Sequence, residues 1–220
     1  MLEDKTVDGQ EEKWIFDVCG TLFYSNTTFD FLSYLFEKID AKRLKKLIEI
    51  RKKNNLMFLF RALVFKLIKV DLFKRKAVFL LKGLKEKDIH CNAIAFYNEK
   101  LAHSKIEDAF HLLANQKGRS ILVSNSIDPI VRVIAQQLDV PYFATEIEII
   151  NGLFTGRIKN DLFGKKHKKI ADEDIHYFSV VTDNESDYEL VKRAKTRYVV
   201  IKNNSDKKYW KDLDPNFISV

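Results

Sequence analysis

Trp14-Ile15-Phe16-Asp17-Val18-Cys19-Gly20-Thr21-Leu22-Phe23 decides how the rest of the chain is read. Trp14 to Val18 is the first strong strand signal, and Cys19-Gly20-Thr21 is turn-like. An acid late in a short strand and followed by a turn matters because open parallel α/β sheets bind ligands at the carboxyl ends of their strands.

Working outward, the pattern is helical from Phe29 to about His111, with Gly83 as the one glycine and no proline. Leu44, Leu47, Ile48 and Arg51 follow the i, i+3, i+4, i+7 rule, the last as a long aliphatic stem. Leu56 to Val70 is apolar on nearly every side and is expected to pack between neighbours. Lys74 to Leu84 and Ala93 to Ala102 continue the helices. Ile106 to Gln116 is amphipathic, with Gly118 as its expected stop. Beyond it the period changes. Ser120 to Val123 predicts a buried strand, Ile130 to Leu138 a helix, and Asn151-Gly152 a hairpin between Glu146–Ile150 and Leu153–Ile158. Lys165 to Ala171, Tyr177 to Val181, Asp187 to Ala194 and Arg197 to Ile201 then alternate helix and strand. That alternation implies a parallel sheet with helices on its faces. The expected fold is α/β: a Rossmann-like parallel sheet core (residues 1–29 and 105–220) with an inserted helical cap (30–104).

Composition narrows the class. Apolar residues make up 46% of 220 and charged residues 31%, a globular balance. Two cysteines, Cys19 and Cys91, are too few for a disulfide framework or a cysteine zinc cluster. His90, His103 and His111 show no metal-ligand spacing with Cys91. No apolar run reaches the roughly 18 residues of a membrane span. The longest, Leu56 to Val70, is broken by Arg61, Lys66 and Lys69, and the polar start MLEDKTVDGQEEK is not a secretory signal. A cytoplasmic location is expected.

The net charge of +7 is uneven: residues 37–87 carry 17 Lys and Arg against 5 Asp and Glu. That balance suits anionic partners. In this lobe Phe58, Phe60, Phe65, Phe73 and Phe79 mix with Arg61, Lys66, Lys69, Lys74 and Arg75. The plainer reading is buried aromatics with a solvated basic face. The sharper one is an amphiphilic surface for anionic membrane or an amphiphilic phosphorylated substrate. No nucleic-acid-binding signature accompanies the charge.

The strand ends supply the chemistry. Asp17 and Cys19-Gly20-Thr21 follow the first strand, Ser124-Asn125-Ser126 the second, and Thr182-Asp183-Asn184-Glu185-Ser186-Asp187 a third. Carboxylates, hydroxyls and turn backbone suit magnesium and phosphate: Asp17 and Asp183 as oxygen ligands, and the groups around Ser124 as phosphate donors. A lysine after Gly164 (Lys165, Lys166 or Lys168) would offset the remaining charge.

These four segments, in this order, resemble the haloacid dehalogenase-like hydrolase superfamily and its phosphoserine phosphatase-like branch. Phe16 to Phe23 resembles the first motif, Leu122 to Ser126 the second, Gly164 to His167 the third and Val181 to Asp187 the fourth. Asn151 to Arg157 is similar to the branch's hairpin segment. The resemblance implies phosphomonoester hydrolysis with Asp17 as nucleophile. It implies Mg²⁺ held by Asp17, Asp183 and the backbone carbonyl of Cys19. Ser124, Asn125 and Lys166 would then bind phosphate, and Asp187 would support the metal or orient the lysine. Register with Ile170 favours Lys166 over Lys165.

Cys19 departs from the pattern, which has a second Asp there as general acid and base. An ordinary thiol titrates near ~8.5 against ~3.9 for Asp, so it donates a proton but rarely accepts one at neutral pH. Slow turnover, a substitute base or a persistent phosphoenzyme follows. The rival reading is a catalytically weak protein that binds a phosphorylated ligand or an anionic membrane.

Overall fold

The computed structural model describes residues 11–52 and 71–220. The apolar stretch Leu56 to Val70, with the aromatic and basic residues expected there, lies outside the described residues. Strands β1 (Lys13–Phe16), β2 (Ser120–Ile127), β3 (Tyr142–Ile150), β4 (Leu153–Asn160), β5 (Phe178–Thr182), β6 (Arg197–Ile201) and β7 (Asn216–Ser219) form one sheet in the order β4-β3-β2-β1-β5-β6-β7. Every neighbouring pair is parallel except the β3–β4 hairpin. The fold is therefore α/β and Rossmann-like. Asn151 and Gly152 both have positive φ at the hairpin tip (51° and 73°), the backbone that Asn-Gly adopts in a tight two-residue turn.

Side-chain alternation on the central strands splits the core into two layers. Trp14 and Phe16 of β1, with Leu122 and Val181, face one side; Ile15, with Ile121, Val123 and Val180, faces the other. Helices α1 (Thr27–Ile39), α2 (Ala41–Arg51), α3 (Leu72–Phe79), α4 (Glu86–Glu99), α5 (Glu107–Asn115) and α6 (Asp128–Leu138) contribute buried residues to the first layer. Helices α7 (Lys166–Asp172), α8 (Tyr188–Arg193) and α9 (Lys207–Trp210) cover the second. Both faces being covered explains why the strand cores read as continuous apolar runs.

The chain between β1 and β2 leaves and returns at one place. Tyr24 N–H donates to Ser104 O at 2.7 Å and Ile106 N–H to Leu22 O at 2.9 Å. The hairpin also grips this segment: Gly83 N–H donates to Phe154 O (2.8 Å), and Phe154 N–H to Leu84 O (2.9 Å). The helix expected through Leu84 stops at Phe79, before those bonds. Among the described residues no helix is long and apolar enough to cross a membrane.

Several other expectations are adjusted. β2 runs on to Ile127 because its pairing with β3 resumes at Ile127–Thr145 after a register shift that spans Ser124-Asn125-Ser126. α5 ends at Asn115, and Gly118 falls in a 3₁₀ turn, not at a left-handed stop. Helix α8 starts at Tyr188 after a 3₁₀ turn over Glu185–Asp187. Strand β7 and helix α9 were not expected, since short exposed segments carry little periodicity. The plain reading of the basic lobe fails at two residues: Phe79 is 57% exposed, whereas Lys74 is only 4% exposed.

Helix α2 has Leu47 as its buried residue. Leu47 is fully buried, while its neighbour Ile48 is 48% exposed. Leu47→Ala is expected to cost about 2–5 kcal/mol in urea unfolding, by lost burial and a residual cavity. Ile48→Ala should stay within about 0.5 kcal/mol.

Candidate active site

The candidate residues stand at the carboxyl ends of the central strands. β1, β2 and β5 are adjacent and parallel, so the residues after β1 and β5 and those late in β2 emerge at one edge. Asp17 N–H donates to Val181 O at 2.9 Å, which ties the first segment directly to β5. Asp17 is buried, and its Oδ1 accepts from Val18 N–H at 2.7 Å.

Lys166 is the cation that meets this acid. Its Nζ lies 2.8 Å from Asp17 Oδ2 and 2.7 Å from Asp187 Oδ2, with all three side chains buried. Burial alone would push the ammonium's pKa down, but the charges of Asp17 and Asp187 more than offset it and hold the pKa above the ordinary lysine value. Lys165, by contrast, is exposed at the helix start. Thr182 Oγ1 donates to Asp187 Oδ2 at 2.7 Å, and Asp187 Oδ1 is buried without a partner.

Asp183 occupies the other side of the same cluster. Thr21 Oγ1 donates to Asp183 Oδ1 at 3.0 Å and accepts from Asp183 N–H at 2.9 Å, binding the first segment to the fourth. Burial, and secondarily the charge of Asp17, push the Asp183 carboxyl up to about 7. Gly20 lets the backbone come this close: a Cβ there would stand 2.1 Å from Asp183 Oδ2, at a φ of +72°.

Ser124 and Asn125 come from the irregular part of β2. Ser124 is fully buried, and its Oγ accepts from Ser126 N–H at 3.1 Å. The Asn125 backbone oxygen accepts from Lys74 and Thr145, while both polar atoms of its side-chain amide are buried without a partner.

Cys19 stands between the two acids electrostatically, and its Sγ–H donates to Ser25 O at 3.0 Å. Burial, then the charges of Asp17 and Asp183, push its pKa up to about 12. The side chain is thus a pinned thiol rather than an available base.

The region between residues 14 and 192 matches the model of the haloacid dehalogenase-like hydrolase family. The chain belongs to that family. Its members are hydrolases, and the solved structures it resembles share the fold at low identity. A Bordetella pertussis Tohama I protein of unknown function matches with a TM-score of 0.72 and 14% identity, over 94% of this chain and 97% of the other. A phospho-aspartyl intermediate analogue of phosphoserine phosphatase gives 0.60 and 20%, over 96% and 94%. Cytosolic 5′-nucleotidase IIIB bound to cytidine gives 0.63 and 11%, over 94% and 79%. No curated protein matches the chain.

Sequence reading brought forward Asp17, Cys19, Ser124, Asn125, Lys166, Asp183 and Asp187. Of these, Asp17, Lys166 and Asp187 are in direct ionic contact, and Cys19 and Asp183 are coupled to them through charge. It gave no separate role to Thr21 or Thr182, although both stand inside the quoted motifs. It also missed Lys74, Thr145 and Asp161, which no motif contains.

A carboxyl raised by burial favours its protonated form in the folded protein, so folding loses stability as pH climbs from about 4 through about 7. Without metal, Asp183→Asn is therefore expected to raise Tm at pH 8 and to leave it unchanged near pH 4. A thermal scan at both pH values in chelator checks this.

Proposed function

We propose that this hydrolase is a Mg²⁺-dependent phosphomonoesterase in which Asp17 is the nucleophile and an aspartyl-phosphate forms on it. The observation that carries the reading is the buried Asp17–Lys166–Asp187 chain beside Asp183 at one sheet edge. Lysine and acids so buried and mutually bonded mark a site that handles charge.

The donor set fits magnesium. Asp17 and Asp183 offer hard oxygens, and three acids face one lysine, leaving a negative excess that a dication would neutralise. Among the described residues no group of three His, Cys, Asp or Glu side chains encloses a metal. The Cys19 backbone carbonyl and solvent would therefore complete the coordination. When bound, the ion would screen the phosphate from the carboxylates and orient it.

The protein's own residues then act in sequence. Lys166 holds one oxygen of Asp17 and would stabilise charge on the phosphoryl oxygens. Ser124 Oγ and the Asn125 amide would donate to the remaining oxygens. A carboxylate oxygen of Asp17 attacks phosphorus and the P–O ester bond breaks, its oxygen leaving as an aryloxide or as an alkoxide that takes a proton from solvent; water then attacks the aspartyl-phosphate at phosphorus, releasing inorganic phosphate and the Asp17 carboxylate. Asp187, bonded to Lys166 and Thr182, keeps the lysine in place.

Cys19 shapes the rate. A thiol at about 12, bonded to Ser25 O, protonates a leaving alkoxide poorly and activates water poorly. Esters whose leaving groups depart without a proton, such as aryl phosphates, should be the better substrates, and the phosphoenzyme should persist.

The substrate is a small phosphorylated compound, and the basic lobe supports peripheral contact with an anionic membrane. Phe79 is 57% exposed, Lys82 Nζ lies 5.9 Å over its ring, and Lys42, Lys45, Lys46, Arg75 and Lys76 are exposed on α2 and α3. Sedimentation with anionic vesicles in low salt is expected to retain the protein, and Phe79→Ala to weaken this. Equal loss from anionic and neutral vesicles would remove the contact.

A panel of aryl and alkyl phosphates with and without Mg²⁺ tests the main reading. Aryl esters should turn over only with Mg²⁺, and Asp17→Asn should lower the rate at least ~10³-fold. Cys19→Asp should shorten the aspartyl-phosphate lifetime measured by intact mass, by ~10²-fold or more. Equal silence of wild type and Asp17→Asn across the panel would favour a binding protein.

A further inference from the structure

Among the described residues, one buried lysine between β1 and β2 reaches the site's frame without a part in the mechanism. Lys74 sits in the first turn of α3, where Asp71 caps the helix by accepting from Phe73 N–H and Lys74 N–H. Its side chain runs inward, away from the exposed Arg75 and Lys76. Nζ donates to Asn125 O at 3.1 Å, to Thr145 Oγ1 at 3.1 Å and to Asp161 Oδ1 at 2.5 Å. An ammonium has three protons, so all are committed.

Each acceptor belongs to a different piece of the site's frame. Asn125 follows Ser124 in the irregular stretch of β2. Thr145 lies on β3, and its hydroxyl also donates to Asn125 O at 3.0 Å. Asp161 opens the connection from β4 to α7, which carries Lys166, and its Oδ1 accepts from Phe163 N–H at 3.1 Å as well. Asp161 neutralises Lys74, so this second cation does not compete with Lys166 for Asp17.

We propose that Lys74 is a positioning residue: it clamps the inserted helices onto the Ser124–Asn125 stretch and the Asp161–Lys166 loop together, so that the phosphate subsite is complete only when α3 is docked. The proposal rests on the phosphatase reading for its catalytic consequence, but the clamp itself does not. The group it fixes most directly is Asn125. With the peptide oxygen held from one side, the side-chain amide is fixed beside Ser124, where its buried, unpartnered N–H and C=O wait for a ligand.

The test separates clamping from mere stability. Lys74→Met strands Asp161 as a buried unpaired acid and should lower Tm. Lys74→Met/Asp161→Asn removes both charges while keeping the acceptor for Phe163 N–H. The double variant is expected to recover most of the Tm yet keep kcat/KM for an aryl phosphate at least ~10-fold below wild type, chiefly through kcat. Hydrogen exchange should quicken together at residues 122–127 and 161–167. Lys74→Arg, which keeps the charge and folds without an unpaired acid, should show the same paired exchange to a smaller degree. Recovery of both Tm and kcat/KM in the double variant would overturn the proposal, as would wild-type exchange in both loops. If wild type turns over no phosphate ester, the phosphatase reading fails on that result, and exchange alone decides the clamp.

Discussion

Three carboxylates brought together in a buried place set the terms for this molecule. Burial makes Asp183 and Asp187 harder to ionise, and the charge of Asp17 adds to this at both. Lys166, in direct contact with Asp17 and Asp187, offsets part of it at Asp187. At Asp183, burial and the charge of Asp17 outweigh the Thr21 hydroxyl and the more distant charges of Lys166 and Lys202, and its carboxyl is raised. A fold that spends stability on such an arrangement keeps it for what it binds. In the function proposed above, a hard dication and a phosphate would match this excess of buried oxygen atoms with hydroxyls and backbone amides beside it.

The same crowding explains why the backbone around it is so restricted. Gly20 stands where any side chain would collide with Asp183, and Thr21 must both donate to and accept from that residue. The turn after β1 is therefore shaped by a residue 163 positions downstream. Cys19 sits inside this turn. The turn is held by backbone bonds and by Thr21, and the thiol adds its own bond to Ser25 O.

Legibility followed periodicity and the sheet rule. Doubly buried strands write continuous apolar runs, and parallel strands must deliver their carboxyl ends to one edge, so the ends of β1, β2 and β5, which carry Asp17, Ser124 and Asp183, were readable as lying on one edge despite their separation. Lys166 was readable because Ile170 fixes its helical face. Lys74 was not readable. It lies in a stretch of lysines and arginines, and sequence cannot say which one turns inward until the position of Asp161 is known. The end of α3 was misread as well: after Phe79 the chain tightens into i→i+3 turns up to Gly83, at a φ of +79°, where bonds to the hairpin take over. The short strand β7 is polar and exposed along most of its length, so no alternation marks it.

The inserted helices share one buried layer with the sheet face formed by Trp14, Phe16, Leu122 and Val181. Such an insertion is continuous with the core, and displacing it wholesale would expose that layer. Small adjustments at its edge cost far less. Among the described residues, α3 meets the sheet through the polar Lys74 node, and the chain just after it is bonded to the hairpin strand β4. A polar node releases its partners to water when it opens, whereas an apolar layer cannot. In the proposed reading, that node is also where the groups that would hold phosphate are fixed.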